Sequence, residues 1–140
     1  LARPSSQAPV DTQAMPGPTG ESNRLTLHRR APLLCLGPGA EAEAAQAAAV
    51  ERLGGAAVRA GGAVPSEWLA EAPGLSAALW WGDAEAARRH AQALARRPGP
   101  LVALLTAMPD AAHVLLERHL CIDTTASGGN AQLLVDQSAT

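Results

Sequence analysis

The sequence predicts an α/β fold: a Rossmann-like open, mostly parallel sheet of three to four strands with helices, followed by a C-terminal edge strand and tail. Three observations lead there. The short continuous apolar runs "APLLCL" (31–36), "LSAALWW" (75–81) and "LVALLT" (101–106) read as strands buried on both faces. Alanine-rich helical segments with start and stop signals lie between them. The alternation strand, helix, strand, helix supplies crossovers of the length that parallel neighbours require.

Residues 1–30 read as a Pro-rich linker with one short strand. Pro4, Pro9, Pro16 and Pro18 fix φ and remove backbone donors, so the first twenty residues read as extended chain. Leu25 to His28 alternates and suggests the strand. A Rossmann-like domain is expected over 31–110. Its first strand is 31–36, and its first helix, 40–53, is rich in strong helix formers and stops at Gly54 and Gly55. "AAVRA" (56–60) reads as the second strand. Residues 66–71 read as a helical turn capped by Ser66 and stopped by Pro73. The helix from Asp83 to Arg97 has a capping aspartate, Glu85 at the positive end of its dipole and Arg96 and Arg97 at the negative end. Glu85 also shares a face with Arg88 and Arg89. Residues 111–140 are expected to hold a short helix, an edge strand around "LCIDT" (120–124), and a tail.

Composition narrows the function. A chain of 140 residues can build one core, yet much of its 47% apolar content is alanine, and Trp68, Trp80 and Trp81 are its only aromatic residues. Alanine buries little area, so the core is thin and the domain is expected to lean on a larger body. The chain opens on Leu1 and reads as part of a longer polypeptide. A net charge of −2, with arginine as the only strong base, makes no case for nucleic acid. No apolar run reaches the roughly 20 residues of a membrane span. Cys35 and Cys121 are expected to be reduced thiols in a cytoplasmic protein.

The motif nearest to chemistry is "GPGAEA" (37–42), with G-x-G-x-x-A spacing after a strand and opening a helix. That context suits a dinucleotide phosphate, making Gly37 and Gly39 candidate cofactor-binding residues. Against it, Pro38 removes a donor, and the second strand ends at Arg59-Ala60-Gly61 without an acidic residue for a ribose hydroxyl. The alternative is a tight turn that uses glycine for its geometry. His28, His90, His113 and His119 form no metal-ligand spacing. Cys35 lies in a buried strand and Cys121 on an edge, and neither has the setting of a nucleophile. No catalytic residue and no metal site are assigned. "TTASGGN" (124–130) combines hydroxyls with two glycines that tolerate positive φ; it reads as an anion nest or as a tight corner.

Two segments, "MPGPTGESNRLTLHRRAPLLCLG" (15–37) and "LLERHLCIDTTASGGNAQLL" (115–134), resemble the extreme C-terminal part of long-form proline utilization A. That family comprises bacterial bifunctional proline dehydrogenase and L-glutamate-γ-semialdehyde dehydrogenase enzymes. The resemblance implies FAD and NAD sites elsewhere in a parent enzyme, with no cofactor in this chain. It implies a non-catalytic module, related to the aldehyde dehydrogenase superfamily, that partners the aldehyde dehydrogenase domain of the same polypeptide. It further implies that Thr124, Thr125, Gly128, Gly129 and Asn130 belong to a terminal motif covering a tunnel for the intermediate. Self-association is compatible with this reading. Two readings from other classes stand beside it: a free-standing nucleotide-binding domain using Gly37 to Ala42, and an interaction domain pairing through its edge strand near Leu120.

Overall fold

The computed structural model describes residues 8–123. Two compact units are present: residues 29–116, and a second made from the segments before and after them.

The larger unit is a parallel four-stranded sheet flanked by helices. Taking strands in chain order, β1 is Asp11–Met15, β2 is Glu21–Arg29, β3 is Leu33–Cys35, β4 is Ala57–Arg59, β5 is Ala77–Leu79, β6 is Ala103–Leu105 and β7 is Leu115–Asp123. The parallel sheet has the order β4-β3-β5-β6, with β3 paired in register to both β4 and β5. The helices are α1 (Gly39–Arg52), α2 (Ser66–Leu69), α3 (Ala84–Ala95) and α4 (Ala111–Val114).

The apolar runs of the central strands β3 and β5 are continuous because each has a core on either side. The run 101–106, expected to be buried on both faces, is instead the partly exposed edge strand β6. Leu33, Cys35, Ala77 and Leu79 point one way and pack with Ala47 and Val50 of α1 and Val114 of α4. Leu34, Leu36 and Ala78 point the other way and pack with Leu69 of α2 and Ala93 and Leu94 of α3. The expected α/β class and parallel sheet are therefore present, with strands of three residues instead of six or seven. The buried face of α1 is Glu43, Gln46, Ala47 and Val50, a helical i, i+3, i+4, i+7 stripe.

Helix ends follow local chemistry, with corrections. Asp83 caps α3 by accepting from the Ala86 N–H at 2.9 Å. Gly54, with φ +85°, follows the C-cap of α1 as expected. Ser66 does not cap α2: Pro65 holds that place, and the Ser66 hydroxyl bonds His90 Nδ1 at 3.0 Å. Arg96 is the C-cap of α3 and Arg97 reaches the Leu69 carbonyl at 2.7 Å, so neither lies in its last turn. The helix expected after Pro109 is a single turn closed by a capping box between Asp110 and His113.

The smaller unit is a sheet of order β1-β2-β7, in which β1 runs antiparallel to β2. Two expectations change here. Asp11–Met15, read as linker, is a strand because it pairs with β2 from Asp11↔Leu27 to Met15↔Asn23. β2 and β7 each run nine residues, longer than their alternating centres suggested. β7 keeps its expected edge position.

Candidate functional site

In the parallel sheet the connections diverge between β3 and β5. The crevice outside the carboxyl ends of strands at such a point is where open α/β sheets place ligands. The Gly37-Pro38-Gly39 turn after β3 and the Trp80-Trp81-Gly82 turn after β5 meet there, joined by the Trp81 N–H donating to the Gly37 carbonyl at 2.9 Å.

Gly37 and Gly39 are both left-handed, at φ +92° and +81°, and the Gly37–Pro38 peptide is cis. A Cβ on Gly37 would stand 2.6 Å from the Gly39 nitrogen, so the turn demands glycine for its shape. The polar groups of Gly37 are engaged internally. Gln46 is fully buried; its Oε1 accepts from Gly37 N–H at 3.0 Å and its Nε2 donates to the Gly37 carbonyl at 2.9 Å. Where a nucleotide fold would place an acidic residue on the second strand, the buried Glu43 reaches from α1. Its carboxylate accepts from Gly61 N–H at 3.0 Å and Gly62 N–H at 3.2 Å, with Arg59 Nε 3.8 Å away. A carboxylate at the first turns of α1 opposes a second anion there. The turn fits a self-closed corner better than a phosphate cradle. Sequence reading missed Glu43 and Gln46, although both fall in phase with Ala47 and Val50 on the buried stripe.

Cys35 is fully buried, and burial, with Glu43 nearby, pushes its thiol up to about 11. Cys121 is exposed and donates to Glu21 Oε1 at 2.9 Å, a bond that raises its pKa because it favours the thiol form. Both lack the electropositive setting of a reactive thiolate. Among the described residues no three His, Cys, Asp or Glu side chains converge on a metal position, and no helix is long and apolar enough to cross a membrane. Thr124, Thr125, Gly128, Gly129 and Asn130 lie outside the described residues.

No protein-family model matches the chain. The bifunctional protein PutA of Salmonella typhimurium is 30% identical over 143 residues, covering 86% of this chain. That of Escherichia coli is 32% identical over the same length and share. The chain is related to a segment of PutA. It spans only 11% of each of those relatives. A crystal structure of a Bradyrhizobium japonicum Proline Utilization A (PutA) mutant aligns with a TM-score of 0.53 at 26% identity, over 67% of this chain and 13% of that one. The PutA-related segment is an α/β unit in which Gly37 of the glycine turn is hydrogen-bonded by the chain's own Gln46.

Proposed function

We propose that this chain is a non-catalytic structural module of a bifunctional, proline-catabolising PutA enzyme, and that its C-terminal segment closes the channel carrying the intermediate between two active sites. The observation that carries this reading is the likeness to a small share of much longer bifunctional relatives. Two further features support it. The turn that would cradle a cofactor phosphate is occupied by Gln46 and closed beside Glu43. Large apolar side chains stand uncovered, Leu101 at 82% and Met108 at 60% exposure, which suits a module packed against a larger body. FAD and NAD would then belong to the parent polypeptide, and the partner would be its aldehyde dehydrogenase domain.

The test is coupled kinetics in the full-length parent enzyme. Deleting residues 123–140 is expected to leave each half-reaction competent when supplied with its own substrate, but to introduce a lag in NADH formation from proline. A lag-free time course would refute the closing role. Loss of both half-reactions would refute the non-catalytic assignment of the segment.

A further inference from the structure

A second feature of the diverging strands is independent of the channel reading. A crevice of about 340 Å³ opens beside Leu36, which follows β3, and Trp80, which follows β5. Val64, Pro65, Ala63 and Ala86 supply its apolar lining. Its size is at the lower end of small-molecule sites, and it combines this apolar lining with the polar side chains of Ser66, Glu67, Arg89 and His90.

We propose that this crevice binds a small, uncharged, planar organic molecule carrying one hydrogen-bonding group, anchored by the Ser66 hydroxyl and His90. Size excludes a dinucleotide. Charge selects neither sign, because Arg89 and Glu67 both line the opening. A free anion meets Glu67, and a free cation meets Arg89. Shape favours a flat body, because the Trp80 indole and the Pro65 ring are both in the wall. Trp80 also meets the His90 ring edge-on, with centroids 5.0 Å apart, which holds the imidazole in place.

The anchor is adaptable. Ser66 Oγ and His90 Nδ1 are 3.0 Å apart. If the hydroxyl donates to Nδ1, its lone pairs accept from a ligand; in the other tautomer the hydroxyl hydrogen is free to donate. Burial, then the neighbouring Arg89, holds the His90 pKa below its ordinary value against the opposing pull of Asp83, so the ring is neutral near pH 7.

Benzamide, benzoate and benzylamine form a nearly isosteric neutral, anionic and cationic set for saturation-transfer NMR with the full-length polypeptide. Benzamide is expected to bind saturably and more tightly than either charged probe. Ser66→Ala is expected to weaken it about fivefold, the worth of one net hydrogen bond. Ala63 is exposed at the rim, so Ala63→Trp is expected to fill the opening and abolish binding with an unchanged melting temperature. Absence of benzamide binding, tighter binding of a charged probe, or benzamide binding that survives Ala63→Trp would each overturn the proposal.

Discussion

Gln46 shows how one side chain can settle what a glycine motif does. Its amide satisfies both the donor and the acceptor of buried Gly37. Gln46→Leu would strand the Gly37 N–H, while the carbonyl keeps its bond from the Trp81 N–H, and a cost of about 1–3 kcal/mol is expected for the one buried unpaired group. Arg89→Ala removes a solvent-exposed pair with Glu85 and is expected to cost less than about 1 kcal/mol. Urea denaturation of both variants checks the contrast. Cys35 supplies a pH test. Its folded pKa is raised from 9.0 to about 11, so between those values the folded state keeps a proton that the unfolded state has lost. The contribution is whole below pH 9 and is lost as pH rises toward 11. Denaturation midpoints over that range should fall more steeply for the parent chain than for Cys35→Ala.

At the scale of elements, local chemistry read well wherever a side chain closes its own turn. Asp83 was legible as a cap because the bond to Ala86 N–H spans only three residues. That bond lowers the carboxyl pKa, so its support is present above the ordinary value of 3.8 and fades as pH falls below it. Asp83→Ala is expected to lower the melting temperature at pH 7, with the difference shrinking in acid. Ser66 was misread because its partner, His90, lies 24 residues away on another helix. Asp11–Met15 was misread for the same reason: its apolar content is low, and only pairing with β2 makes it a strand. Gly55 read, with Gly54, as the stop of the first helix. A Cβ there would lie 2.7 Å from Val114 and 2.9 Å from Val50, so Gly55→Ala should cost about 1–3 kcal/mol by overpacking. A thermal melt of that variant measures it.

For the whole molecule, the alternation of apolar runs with alanine-rich helices was enough to predict a parallel sheet. Both faces of β3 are covered, one by α1 and one by α2 and α3, and a doubly buried strand must read as a continuous apolar run. The deletion of residues 123–140 tests function at this scale, since only an intact parent enzyme can show a lag. The sequence by itself determined the α/β class, the succession of strands and helices along the chain, the cap of α3 and the resemblance that the relatives bear out. The tertiary structure alone decided that Glu43 and Gln46 close the glycine turn, that Ser66 meets His90, and that 11–15 is a strand. The physical reason is reach. Propensity, capping and burial period act over a few residues and leave their mark in the chain, whereas these contacts join residues that only the folded sheet and its helices bring within hydrogen-bonding distance.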